Sequence, residues 1–492
     1  MSSTAESDFI ARQVAALLEV PSDETRIADY YIKFTRKSGL SVNPHIGHGR
    51  GKGLQATASF KEGEVVLIEP PLVACQEPDS AAIVAACQHS FAVLGPTLEA
   101  HLAHAARALR ADPALCAATT CQSDESDDCE EGSPPCCPTF PVSEEVESGL
   151  RSGAIRLPGS DQWPLPSPVL GRGDASLLFA SEVAETEAWA GYAQLLCANP
   201  PASGGRRVPQ ADAQRQRRAA LRQLRSFARE CNPVFEFVAR ALAGVLSRAD
   251  AELEAGGLQP EGERTDAEWA ALVKAWEPLA HGHKRLWWEL PVTGLGEGEA
   301  AELRQQRHEL CQTAADLLRR ALWDPRFPAL FHEDVVGCLV GMVELNNLDL
   351  VVPSPALAWY RWYQEQYLTD PRRSEGQQDP AGAAAREVAV FVEAYGDALS
   401  VSGTGFYRLQ SCCNHSCRPN THAFKRDQDT TGAAVLVALR DISLGEEITI
   451  SYIDEDAPLQ ERQDALAEYE FLCTCEKCVA EGVALVDQSL TL

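Results

Sequence analysis

The sequence predicts an α+β fold in which two β-rich segments lie far apart in the chain and a long helical stretch separates them. Three observations predict it. Residues 42–75 combine closely spaced glycines with the β-branched run Val65-Val66-Leu67-Ile68. Residues 210 to 330 repeat apolar positions at helical spacing in an alanine-, leucine- and arginine-rich background. After Ser402 the texture returns to strand, near residues 433–439 and 447–452.

Taken in order, residues 8–36 carry Ile10, Val14, Leu17 and Leu18, then Tyr30, Tyr31 and Ile32, a spacing that predicts one or two N-terminal helices. Gly47, Gly49, Gly51 and Gly53 mark tight turns, and Lys61-Glu62-Gly63-Glu64 is the turn before the first strong strand. Residues 111–175 are low in complexity. Residues 123–131 are acidic, and Pro134, Pro135, Pro138 and Pro141 break helices, so a long poorly ordered loop is expected. Helices follow over 215–230, 234–255 and 300–322, with Trp276, Trp287 and Trp288 between them as packing residues. Residues 331–352 are largely apolar. Residues 366–386 read as a second flexible loop, and no internal repeat is visible.

Composition narrows the function. A chain of 492 residues can hold two or three domains. No apolar run approaches the ~20 residues that span a bilayer, so no membrane contact is expected. Residues 1–19 lack a basic and an apolar region of the secretory kind, which puts the 17 cysteines in a reducing compartment, as free thiols or metal ligands. The net charge of −28 argues against direct nucleic-acid binding and suits a basic protein substrate, such as a histone tail or a ribosomal protein. Solubility alone is the plainer account of that charge. The best basic cluster, Arg215-Gln216-Arg217-Arg218, reads as an exposed helix face, so residence in nucleus, cytoplasm or both stays open.

The chemistry concentrates near the C-terminus. Cys473, Cys475 and Cys478 supply three thiols within six residues, and a tetrahedral zinc site needs one more ligand. Upstream lie Gln410-Ser411-Cys412-Cys413-Asn414-His415-Ser416-Cys417-Arg418-Pro419-Asn420 and Gly445-Glu446-Glu447-Ile448-Thr449-Ile450-Ser451-Tyr452. Cys412 and Cys413 read as core packing.

Read as NHSCxPN, GEExxxxY and CxCxxC in that order, this series resembles the catalytic half of SET-domain protein lysine methyltransferases. The resemblance implies an S-adenosylmethionine-dependent protein lysine N-methyltransferase. It implies that Asn414 and His415 hold the cofactor, and that Cys417 joins Cys473, Cys475 and Cys478 around one zinc ion, pinning the tail over the active site. Gly49-Arg50-Gly51-Lys52-Gly53-Leu54 resembles the family's glycine segment, with Gly51, Lys52 and Gly53 against the cofactor. Asn346, with Asn347 as the rival register, resembles the asparagine at the cofactor's amino-acid end; a pair that only satisfies a helix terminus is the alternative. Tyr452 stands where the family has its catalytic tyrosine; a core strand tyrosine beside Ile450 and Ile453 is the alternative. Methyl transfer from a sulfonium to an amine needs in-line alignment and a neutral amine, whereas free lysine has a pKa of ~10.4. The family meets this with a narrow aromatic channel. Phe471 matches the aromatic near the adenine or the channel, with core packing as its alternative, and Tyr407 is either a channel residue or core.

The order of parts resembles the SET-and-MYND branch. Leu345-Asn346-Asn347-Leu348-Asp349-Leu350, Gln410-Ser411-Cys412 and Lys284-Arg285-Leu286-Trp287-Trp288 look like the plant and algal Trithorax-related group, close to the fifth animal SET-and-MYND member. The departure is the finger. Cys87 is followed by Gln88-His89-Ser90, and Ala180 and Ala184 stand near expected ligand positions, before Trp189 and Leu195-Leu196-Cys197. This reads as a degenerate MYND finger without zinc; the rival is an atypical site drawn from Cys116, Cys121, Cys129, Cys136 and Cys137. The expected fold is thus a split SET β-fold: N-terminal helices over 1–40, a first SET half over 41–76, a MYND-like insert with a disordered loop over 77–200, a helical insert over 205–345, a catalytic half over 346–455 and a post-SET zinc segment over 456–492. A catalytically inactive SET scaffold that binds a partner protein is the alternative function, and a zinc-dependent interaction module a weaker third.

Overall fold

The structure is a computed structural model of the chain and describes residues 3–47, 50–112, 114–115, 140–197, 211–256, 266–368 and 380–489. Two helices open it, Ser3–Leu18 and Glu24–Thr35. The Asp23 side chain caps the second by accepting from Arg26 N at 2.9 Å, and Ile27, Tyr30 and Tyr31 turn one face inward. The first helix docks on the helical stretch. Trp276 Nε1 donates to the Leu17 carbonyl at 2.9 Å, and Lys284 Nζ caps the same helix end through the carbonyls of Leu17 and Glu19.

Strands β1 (Leu40–Asn43), β2 (Gly53–Ala56), β3 (Val65–Glu69) and β4 (Val73–Gln76) follow. Far along the chain come β7 (Asn347–Val352), β8 (Val401–Phe406), β9 (Asn414–His415), β10 (Thr421–Ala423), β11 (Ala434–Ala438) and β12 (Glu447–Ile450). The two groups are interleaved in three small sheets, ordered β1-β2-β12-β9, β10-β11-β3 and β4-β8-β7. The first fixes the site. β12 pairs antiparallel with β2, with Ile448 opposite Leu54, and parallel with β9, with Thr449 opposite Asn414 and Ile450 opposite His415. Leu54, Ile448, Cys412 and Cys413 bury their side chains in one core beneath.

Between the strand groups run the helices Ala211–Cys231, Val234–Ala255, Asp266–Ala280, Glu297–Leu322 and Glu333–Asn346. They share the largest core, in which Trp276 and Trp287 are buried. The helix Glu333–Asn346 is apolar on nearly every side and correspondingly buried. It meets the 285–287 segment backbone to side: a Cβ on Gly341 would lie 2.2 Å from the Arg285 carbonyl oxygen. No described helix is long and apolar enough to cross a membrane.

Two loop expectations are corrected. Within 111–175, the described residues 140–175 carry the helix Glu144–Ser152, β5 (Val169–Gly171) and the start of β6 (Asp174–Phe179). Ser143 caps the helix, Gly153 closes it in the left-handed region, and Val146 and Leu150 pack into the core around the helix Leu98–Ala111. The prolines obscured a short amphipathic pattern. Within 366–386, the helix Pro380–Tyr395 begins, and Ala384, Ala385 and Val388 are buried. Pro380 stands at its first position, where proline starts helices rather than breaking them. Cys116, Cys121, Cys129, Cys136 and Cys137, with Gly49, lie outside the described residues.

Candidate active site

A cleft of about 1420 Å³ opens where β2, β12 and β9 come together. Its lining includes Gly51, Lys52, Asn346, Asn414, His415, Tyr452 and Phe471, seven residues from five separate stretches of sequence. Two expected residues stand elsewhere. Gly53 is buried against the Ile46 side chain, which a Cβ would meet at 2.9 Å, and lies outside the lining. Tyr407 is buried, and its hydroxyl donates to the Gly432 carbonyl at 2.7 Å; of its two readings, channel and core, it takes the core.

Gly51 has φ +69°, a conformation that favours glycine, with open space where a Cβ would project. Lys52 beside it donates from Nζ to the His281 carbonyl at 2.5 Å. Asn414 donates from Nδ2 to the Lys52 carbonyl at 3.1 Å and to Glu447 Oε1 at 2.9 Å. The other Glu447 oxygen lies 2.7 Å from Arg50 Nη1. One carboxylate therefore joins the glycine segment to the Asn-His strand.

The Asn346 carboxamide is fully engaged inside the protein. Oδ1 accepts from His283 N at 2.9 Å, and Nδ2 donates to the carbonyls of His283 and Met342 at 2.8 and 2.7 Å. It shapes the cleft wall by holding the His281-Gly282-His283 turn. His281 is sandwiched on Tyr30, ring centroids 4.1 Å apart, and burial pushes its pKa down to about 4. Its Nε2 is buried with no partner among the described residues.

His415 uses both ring nitrogens. Nδ1 accepts from Tyr452 N at 3.0 Å, and Nε2 lies 3.2 Å from Cys417 Sγ. Burial lowers its pKa to about 4, so the ring is neutral with one N–H. Because a main-chain N–H only donates, that proton sits on Nε2. Both ring nitrogens of His415 are thus taken up by the protein itself. Tyr452 follows the end of β12, and its hydroxyl donates to the Cys413 carbonyl at 2.6 Å. Burial raises the phenol far above the usual tyrosine range. Tyr469 and Phe471 complete an aromatic wall, with ring centroids 5.1 and 6.4 Å from Tyr452.

Cys417, Cys473, Cys475 and Cys478 converge beside this wall. All four Sγ atoms lie within 4.8 Å of one another. Sequence reading missed His281, His283, Glu447 and Tyr469. Tyr469 had a faint signal, its place two residues before Phe471; the histidine turn had none, because only the fold brings it to the cleft.

Comparison with known proteins agrees with this geometry. The SET domain family model matches residues 51–453. The histone-lysine N-methyltransferase ATXR2 of Arabidopsis thaliana is 33% identical over 493 residues, covering 96% of this chain and 98% of that protein. The protein-lysine N-trimethyltransferase SMYD5 of Gallus gallus is 44% identical over 91 residues, 18% of this chain and 21% of its own length. A SET and MYND domain-containing protein of Dictyostelium discoideum is 41% identical over 91 residues, 18% of this chain and 17% of its own. A match that spans most of the chain, over strands that bring three separate motifs to one cleft, makes this chain a member of the SET-domain family.

Proposed function

We propose that this SET-domain protein is an S-adenosylmethionine-dependent protein-lysine N-methyltransferase whose substrate is a basic protein, a histone foremost. The observation that carries the reading is the convergence of the glycine segment, Asn414-His415 and Tyr452 on one cleft through the β2-β12-β9 pairing. The cleft suits the cofactor. It has the volume and the open space over Gly51. S-adenosylmethionine supplies the methyl group, on a sulfonium.

The chain's own residues do the rest. Gly51 and Lys52 line the floor, and Asn346 braces the opposite wall through His283. Tyr452, Tyr469 and Phe471 exclude water and lower the polarity around the target amine, which favours its neutral form. The Tyr452 hydroxyl oxygen, with its proton engaged by Cys413, offers its lone pairs to a polarised C–H.

The four thiols suit zinc. With Zn–S bonds of ~2.3 Å a tetrahedron has S···S edges of roughly 3.8 Å, and Cys417 lies 3.9 Å from Cys473 and 3.5 Å from Cys478. Zinc there would anchor the helices Leu459–Ala467 and Glu476–Ser489 against the aromatic wall. The described part of 77–200 fits a degenerate finger. Cys87, Phe179, Ala184 and Ala188 pack as a small apolar core, and buried Arg240 clamps the Gln88 carbonyl and side chain. Histone methylation would make the protein a chromatin regulator in the nucleus. Transfer of labelled methyl to purified core histones tests the function; label on no basic protein, with cofactor bound, would overturn it.

A further inference from the structure

We infer that His415 is a positioning residue that couples metal occupancy at the four cysteines to the placement of Tyr452. The inference rests on the zinc reading above and adds a path from that site to the reacting residue.

The path is short, and the imidazole at its middle is buried. His415 is 5% exposed, and each ring nitrogen faces a single partner. On one side Nε2–H points at Cys417 Sγ at 3.2 Å. On the other, Nδ1 receives the Tyr452 main-chain N–H at 3.0 Å. Tyr452 is held a second time by the same short segment, because its hydroxyl donates to the carbonyl of Cys413, two residues before His415. The phenol is therefore fixed at both ends by residues 413–415.

Zinc held by the four thiols would fix Cys417 Sγ and leave it a sulfur acceptor facing His415. Without metal, the thiols of Cys478 and Cys473, at 3.5 and 3.9 Å, would compete with His415 for that Sγ. The imidazole then loses the partner that sets its tilt, and the acceptor for Tyr452 N tilts with it. Such outer-sphere contacts orient ligands and tune metals in general; here the same contact also reaches into the cleft. A second donor completes the surroundings of the sulfurs. Arg462, 1% exposed, has Nη2 3.7 Å from Cys478 Sγ and 2.7 Å from Glu481. It brings positive charge to a centre whose four thiolates outweigh a divalent ion, but it makes no bond to Tyr452.

The test uses the full chain loaded with cobalt in place of zinc. Metal analysis of the wild type comes first. A metal-free protein, unable to take up cobalt, sinks the zinc reading and this inference together. In a loaded protein, His415→Phe removes both ring nitrogens at nearly constant volume. The variant is expected to keep one metal per chain and to shift the cobalt–thiolate absorption band. Its kcat on histone is expected to fall about tenfold or more, while cofactor Kd by calorimetry moves by less than about threefold. An unshifted band, or wild-type kcat, in a fully loaded variant overturns the coupling and leaves the zinc site standing. Should the variant not fold, cadmium-loaded wild type with nitrogen-labelled histidine decides: scalar coupling between the His415 Nε2 proton and cadmium is expected, and its absence refutes the contact.

Discussion

The Tyr452 hydroxyl donates to the Cys413 carbonyl at 2.6 Å, so the phenol at the heart of the cleft is anchored by main chain and not by a titratable partner. Burial also holds it protonated, far above the usual tyrosine range. Tyr452 is therefore not the base that deprotonates the substrate. Below the amine's pKa of ~10.4, the neutral fraction of a lysine grows about tenfold per pH unit. Initial rates should climb with pH on that slope in the wild type, and Tyr452→Phe should keep the slope at a lower level. A slope that vanishes in the variant would assign the titration to Tyr452.

Asn346 makes three hydrogen bonds in a buried position, two of them with the His283 main chain. Asn346→Ala leaves these groups unpaired and should cost about 2–4 kcal/mol of stability. The released turn should also raise KM for S-adenosylmethionine more than it lowers kcat. Thermal melts and steady-state kinetics check both.

Metal removal should act on the C-terminal segment first. The helices Leu459–Ala467 and Glu476–Ser489 share a small core with Cys417, Cys473 and Cys478. Cys475→Ser or a strong chelator should release one zinc per chain, lower Tm and open that segment to protease. Protease cuts confined to residues before 459 would contradict this.

Buried histidines set a pH limit on stability, and two of them, His101 and His281, lie away from the four cysteines. Burial pushes His101 and His281 down to about 4, from the ordinary histidine value of 6.5. A depressed histidine favours the neutral folded form. The unfolded chain binds more protons between those two values, so stability is full above pH 6.5 and falls as pH drops toward 4. Each should remove up to roughly 3 kcal/mol, less where water enters. Urea midpoints measured across that window should fall with pH, and His101→Gln should flatten the fall.

Much of this was legible in residue order. Asn414, His415, Tyr452 and the four cysteines carry local strings whose spacing survives in sequence, and the structure brings them to one cleft edge. What the strings hid was direction. Asn346, Asn414 and His415 read as cofactor ligands, yet their side-chain polar groups mostly bind the protein itself, at His283, Lys52, Glu447, Cys417 and Tyr452. All of these partners but Cys417 stand more than thirty residues away, His283 and Lys52 more than sixty, and such pairings leave no local pattern. The helices Glu144–Ser152 and Pro380–Tyr395 were masked for a different reason: proline and acidic neighbours dominate the composition, while a few buried side chains decide the fold.

The most direct test of the central claim is methyl transfer from labelled S-adenosylmethionine to core histones and to a ribosomal protein extract, with Tyr452→Phe beside the wild type. The account predicts label on a basic protein band and a loss of about a hundredfold in the variant, the scale of removing one preorganised group from a transition state. Label of equal intensity in both proteins would remove Tyr452 from the reaction. No label in either, from a chain that binds the cofactor by calorimetry, would contradict the enzyme and favour a scaffold.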